Sequence, residues 1–400
     1  MSRAVSFGSA RSIGRWVLLG ALSGVLAGLS SYVFLEGLDL VTEVRVDHGW
    51  LVFGLPIAGL VIGVANHRLA GRSNQGNALL LEEIHSPTAW VPRRMAPMVL
   101  IGTWVTHLFG GSAGREGTAL QMSGSLSDLA ARGLRLGHRD RPVMLTAALG
   151  GGFGAVFGVP LAGAVFGLEV QAPGQVRYRA LVPSLTASII GDAVVRSLGH
   201  EHTLRPTLSA VTTLWSHLTV VVVGVACGVA AVLFVEAVRM VRSLMARLVP
   251  TPTFRPMIGA VGVLGLAALF GTEFLGLSLP LLDTSIAGIG APWWTSALKI
   301  VFTAVTIGSG FPGGEVTPLF VIGATLGAAL AGPLGLPVAV AAAIGMVAVF
   351  GAAANTPLAC TIMGVELFGS AALIPMAIGC VVAYVISGDR TIYATKPRDC

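Results

Sequence analysis

Apolar stretches follow one another along this chain almost without hydrophilic relief: 16–35, 51–70, 96–109, 143–170, 181–198, 211–238, 257–282, 297–307, 318–332, 337–353, 357–369 and 371–386. A full membrane span needs about 20 apolar residues. Several of these stretches are shorter, and others are cut by glycine or proline. Short, broken apolar segments predict discontinuous helices with ends at membrane depth, the usual setting of a transporter's binding site. The more polar pieces are 71–94, 132–142, 171–180, 199–210, 239–256 and the tail from Ser387, each too short for a soluble domain. The pattern predicts an all-α, polytopic fold: one membrane domain over 1–400, with no soluble C-terminal domain. Residues 17–35 follow Arg3, Arg11 and Arg15 and lack a clear small-residue cleavage site. They read as a retained first helix with a cytoplasmic N-terminus.

Composition agrees with a chain that lives in lipid. Hydrophobic residues make up 54% of the 400 and charged residues 11%, against about a quarter charged in soluble proteins. Mean hydropathy is +0.82. The 53 glycines and 21 prolines fit membrane helices whose breaks are satisfied by neighbouring protein. A net charge of +6 does not imply nucleic acid, since no long basic run is interleaved with aromatics and the arginines sit at segment ends. Cys227, Cys360 and Cys380 lie in apolar runs, Cys400 ends the chain, and no CxxC or His/Cys cluster suggests a metal or a cofactor.

An internal repeat is readable by hand. Residues 153–169 (FGAVFGVPLAGAVFGLE) and 350–366 (FGAAANTPLACTIMGVE) share eight of 17 positions without gaps, at an offset of 197. Upstream, 111–118 (GSAGREGT) matches 310–317 (GFPGGEVT) at an offset of 199. The chain reads as a duplication with halves over about 16–238 and 257–393. The similarity alone leaves open whether the halves run parallel or inverted.

The upstream pair carries the candidate chemistry. In 110–118 (GGSAGREGT) and 308–318 (GSGFPGGEVTP) a glycine-rich turn precedes an apolar helical run. Glycines let the backbone turn its N–H groups towards a cavity, and a helix start offers free donors and the positive dipole end to an anion. Two such starts, one per half, could converge on one dehydrated anion. The plainer alternative is a pair of tight turns between packed helices. Glu116 stands beside the first start. Ionised, it would occupy the anion's place; protonated, it could leave, which couples anion movement to a proton. A membrane-embedded carboxylate is a functional candidate by default, and the alternative is a loop residue paired with Arg115. Ser112 fits GxSxG and 308–313 fits GxGxxG, but neither has the strand context those motifs need. An intramembrane hydrolase is therefore the enzyme alternative, and a transporter is expected.

With these residues in view, the chain resembles the CLC family of chloride channels and anion/proton antiporters from about residue 16 to Tyr393. Gly114-Arg115-Glu116-Gly117 matches the family's GREGP stretch with Thr118 replacing proline, and Gly308–Pro318, including Phe311 and Pro312, matches its GxFxP region. The resemblance implies inverted repeats, a homodimer with one pathway per subunit, and Glu116 as the gating glutamate. It further implies an anion site using the Gly114, Arg115, Gly117, Phe311 and Pro312 segments, with Tyr393, in a short C-terminal helix, lending its hydroxyl. Segments near 181–238 and 357–386 would form the dimer contact, with Gly224, Gly228, Gly364 and Gly379 allowing close packing.

Three departures are similar to the fluoride-selective CLC-F branch. Gly76-Asn-Ala-Leu-Leu80 replaces the usual GSGIP, which puts Asn77 at the serine position. Glu315 and Thr317 replace apolar residues of the GxFxP region. Val170 follows Glu169, where antiporters carry a second glutamate. Glu169 and Glu366 are expected as structural helix-end partners. The resemblance implies fluoride export against protons across a bacterial inner membrane, N- and C-termini cytoplasmic, with chloride/proton antiport or a chloride channel as the alternative.

Overall fold

The computed structural model describes residues 10–171, 178–202, 206–208 and 213–393. Arg3 and Cys400 lie outside them. Sixteen α-helices account for these residues: α1 (Ala10–Asp47), α2 (Leu55–Ala65), α3 (Asn77–His85), α4 (Met95–Leu108), α5 (Glu116–Gly133), α6 (Arg141–Phe157), α7 (Pro160–Glu169), α8 (Leu181–Ser197), α9 (Leu214–Leu248), α10 (Arg255–Phe270), α11 (Leu279–Ile286), α12 (Trp294–Gly308), α13 (Val316–Leu334), α14 (Val338–Ala354), α15 (Pro357–Phe368) and α16 (Leu373–Ser387). Six helical stretches are long and apolar enough to span a membrane, and six more are shorter apolar helices. The chain is a multi-pass membrane protein in which full-length spans are interspersed with helices of 10–17 residues.

Two apolar stretches resolve into helix pairs. The run 143–170 breaks after α6 because Gly158 turns left-handed (φ 69°) and Pro160 opens α7. A left-handed residue after one helix and a proline at the start of the next is the chemistry of a sharp stop. The repeat does the same with Asn355 (φ 56°) and Pro357 between α14 and α15. The run 257–282 divides into α10 and α11 at Gly271 (φ 93°). The polar piece 71–94 hides a helix, α3, framed by Gly76 (φ 57°). Its Glu83 is fully buried. It takes Arg72 at 2.8 Å and Arg141 at 3.0 Å, while Arg141 also holds Asp128 at 2.6 Å. That network lets a charged helix sit inside the bundle.

Equivalent helices of the two halves run antiparallel. Glu169, at the end of α7, accepts from the Leu358 and Ala359 amides at 3.1 and 2.8 Å, at the start of α15. Glu366, near the end of α15, accepts from the Leu161 and Ala162 amides at 2.9 and 2.8 Å, at the start of α7. Each helix caps the other, which two helices can do only side by side and head to tail. The Phe153 and Phe350 rings stack beside them at 5.8 Å. The repeat is inverted.

Small residues pack the core. Gly323 and Gly327 of α13 lie against the backbone of α14 at Gly345 and Ala341, leaving no room for a side chain. In α1, Gly20, Gly24 and Gly28 seat α8 in the same way, so the first helix is part of the folded bundle. Gly224 and Gly228 receive Val382 and Ile386 of α16, Gly364 receives Met376, and Gly379 receives Ile344. These four glycines therefore serve packing within the chain rather than a subunit contact, a correction to the sequence reading.

Candidate functional site

The helix pairs α4–α5 and α12–α13 are each joined by a short non-helical segment, and the two segments meet. Gly114 donates to the Gly314 carbonyl at 2.6 Å, and Gly314 donates back to Gly114 at 2.7 Å. Such a two-bond exchange is an isolated antiparallel bridge, and it relates the loops at an offset of 200. Both loops turn at a left-handed glycine, Gly110 (φ 84°) and Gly310 (φ 107°). The offset of 199 is thus corrected by one residue. Glu116 is the structural counterpart of Val316, and Arg115 that of Glu315. Residue identity favours the wrong register: at 199 Glu116 and Thr118 fall on Glu315 and Thr317, whereas at 200 only Gly110 and Gly114 find a glycine in the other loop.

The bridge brings the starts of α5 and α13 together. Glu116 is fully buried, and its carboxylate reaches across to the other half. Oε2 accepts from the Thr317 amide at 3.1 Å, and Oε1 accepts from the Thr317 hydroxyl. A carboxylate at a helix start meets unsatisfied N–H groups and the positive end of the dipole, as a bound anion would. The crossing needs bare backbone: a methyl group on Gly114 or on Gly314 would stand 2.8 Å from Glu116 Oε2. The alternative of an exposed Glu116 paired with Arg115 is not what the chain adopts.

The other candidates divide. Asn77 begins α3 beside the start of α5, with its Nδ2 3.5 Å from where a methyl group on Gly117 would lie. Its amide makes no hydrogen bond with the described residues, and the buried Oδ1 is unpartnered. Asn77 and Tyr393 line one small cavity of about 10 Å³ with Leu81, Leu120, Leu149 and Val170, near the least that can hold one water-sized species. Tyr393 is 4% exposed. Its ring meets Phe166 edge-on at 6.2 Å, and both Glu116 and Glu315 act on its hydroxyl at electrostatic range. The described chain is not helical from 388 to 393, so Tyr393 comes from an irregular segment; anything after it lies outside the described residues. Glu315 stands at the N-cap position of α13 without a side-chain capping bond, half-buried, with Arg242 as its nearby countercharge.

Arg115 stands before α5 with its guanidinium over the Phe157 ring at 5.5 Å. Three residues expected at the anion site offer it no free donor. The Gly114 amide is spent on Gly314. The Phe311 amide bonds the Thr306 carbonyl at 3.3 Å, and its side chain joins the apolar cluster of Leu55, Ile62, Phe274 and Phe302. Pro312, which has no N–H, rests against Gly102. In this conformation Phe311 and Pro312 build the loop and offer the site no donor, because the turn at Gly310 directs the backbone bond inward.

Sequence reasoning passed over Lys299. It lies within the apolar stretch 297–307 and is fully buried, donating to Ser112 Oγ at 2.9 Å in the Glu116 loop. A lone lysine in an otherwise apolar segment, one of only two in the chain, was the available signal.

Residues 54–388 match the sequence profile described as voltage gated chloride channel. The chain is 45% identical over 390 residues to the chloride/fluoride channel protein of Pseudomonas syringae pv. tomato, covering 95% of this chain and 86% of that one. It is 27% identical over 420 residues to the H(+)/Cl(-) exchange transporter ClcA of Klebsiella pneumoniae, covering 95% and 87%. Among solved structures it superposes on a CLC-type fluoride/proton antiporter with a TM-score of 0.92 at 34% identity, over 96% of this chain and 98% of that one. A slow cyanobacterial Cl-/H+ antiporter shares the fold, with a TM-score of 0.82 at 20% identity over 93% and 94%. A match that runs through both facing helix starts and both reciprocal caps makes this chain a member of the voltage-gated chloride channel family.

Proposed function

We propose that this chain is a fluoride/proton antiporter that exports fluoride from a bacterial cytoplasm. The observation that carries the reading is the Glu116 carboxylate, seated on the Thr317 amide and hydroxyl at the start of α13. An ionised Glu116 fills an anion's place there. Protonation removes the charge the helix start binds, so the side chain leaves with its proton and an anion takes the vacated donors. Fluoride is small and strongly hydrated, and it demands short, strong donors in exchange for water. The unbonded Asn77 amide and the Tyr393 hydroxyl supply that chemistry at the cavity, and the Thr317 hydroxyl supplies it at the start of α13 once Glu116 leaves. Glu315, near Tyr393, is a second proton-accepting group at the same centre. Val170, lining the cavity, gives no carboxylate on the inner side.

Both resemblances named for fluoride, a channel protein and an antiporter, favour that anion, and they differ on proton coupling. The buried, displaceable carboxylate favours the antiporter. The enzyme reading gains a Ser112–Lys299 pair, but Ser112 is sealed from solvent and its hydroxyl is held between Lys299 and Thr303, which leaves a substrate no approach. We place the protein in the inner membrane as a single transport domain, with halves over about 16–238 and 257–393 and both termini cytoplasmic. The test is efflux from proteoliposomes loaded with fluoride or chloride. Fluoride should leave much faster, and equal rates would reduce the reading to a chloride-type member.

A further inference from the structure

The Lys299 ammonium has three protons to donate and four oxygens around it: Ser112 Oγ at 2.9 Å, Ser278 Oγ at 2.8 Å, and the carbonyls of Phe274 at 3.1 Å and Gly276 at 2.9 Å. No carboxylate among the described residues pairs with it. The charged group it senses is a second cation, Arg45. Burying an ammonium without a counter-ion is costly unless every proton finds an acceptor. Here every proton does, and the acceptors belong to the 274–278 turn and to the loop that carries Glu116.

Thr303 and Thr306 stand four and seven residues further along α12, on the face of Lys299. Thr303 Oγ1 lies 3.0 Å from Ser112 Oγ, and the Ser112 amide donates to Thr306 Oγ1 at 3.1 Å. Three side chains of one half therefore grip a single residue of the other half's loop. Gly114, with its bridge to Gly314, is two residues on, and Glu116 is four. Among the described residues the second loop has no such grip. At the offset of 200 the counterpart of Lys299 is Val99, Thr103 bonds Thr118 instead of the loop, and Pro312, the counterpart of Ser112, has no hydroxyl or N–H to be held and lies against Gly102. The buried lysine is given to the one loop that bears the exchangeable carboxylate.

We infer that Lys299 is the positioning residue of the Glu116 loop. Through Ser112 it immobilises 110–114 and with it the Gly114–Gly314 bridge, so Glu116 quits α13 by taking up a proton and not by movement of the loop beneath it. This rests on Glu116 being the gate. Lys299→Met keeps the length and removes the charge; Ser112→Ala removes only the hydroxyl and decides the matter should Lys299→Met fail to fold. Hydrogen exchange on the full-length protein should quicken roughly tenfold in peptides covering 110–118 and 309–318, as expected for one charge-assisted hydrogen bond lost. Exchange within 320–330 should stay unchanged. In proteoliposomes the same variants should carry about half as many protons per fluoride, or fewer, with the double variant no worse than Lys299→Met. Unchanged exchange in the loop peptides overturns the inference, as does quicker exchange with an unaltered proton-to-fluoride ratio. A wild type that moves fluoride without protons refutes the gate instead, and the exchange result alone then decides whether Lys299 positions the loop.

Discussion

Thr317 meets Glu116 through both its amide and its hydroxyl, whereas the Asn77 amide stays unbonded beside the Tyr393 cavity. In the proposed mechanism Thr317 holds the carboxylate until the anion replaces it, and Asn77 is left open to the anion. Fluoride gives up more hydration than chloride on entering, so a missing donor hurts it more. Leaving such a need unmet costs about 1–3 kcal/mol, roughly ten- to a hundredfold in relative permeation. Asn77→Ser or Thr317→Ala should narrow the fluoride-over-chloride ratio in liposome efflux, mainly by slowing fluoride. A ratio untouched by both would move selectivity to backbone donors. The residue types at this centre were legible because carboxylates and amides are conspicuous in an apolar chain. Which donors remain free was not, since the Phe311 and Gly114 amides are consumed by partners that only the folded loops supply.

Among elements, the reciprocal caps of α7 and α15 bear most directly on the fold. A helix start left uncapped costs about 0.5–2 kcal/mol, and Glu169 serves two amides of α15 at once. Glu169→Ala should lower the melting temperature in detergent while leaving the proton-to-fluoride ratio alone. A stable variant that had lost coupling would instead make Glu169 a proton carrier. The expectation of a structural role came from the repeat. The same repeat misplaced the upstream loops by one residue, because Glu116 and Thr118 find their identities at the wrong register. Helix breaks inside 143–170 and 257–282 were blurred for a related reason: a turn buried in protein needs no polar residues to mark it. The helix α3 went unnoticed because its charges read as loop, and its compensation by Arg72 and Arg141 comes from residues 11 and 58 positions away.

At the scale of the molecule, the glycines expected at a subunit contact are used inside the chain. Apolar side chains nonetheless face outward where α7 and α15 lie side by side, with Leu161 51% and Leu358 53% exposed. Lipid provides little hydrophobic drive between helices, so a second copy would have to pack closely on this face. Mass measurement in detergent should give twice the 41.0 kDa of one chain, and an active, monodisperse monomer would refute the dimer. The central claim is that anion movement is tied to a proton by Glu116, and proton flux recorded alongside fluoride flux in proteoliposomes addresses it most directly. A fluoride gradient should drive protons the opposite way through the wild type, and Glu116→Gln should abolish that proton movement. Fluoride passing through the wild type without protons, or undiminished proton coupling in Glu116→Gln, would contradict the account.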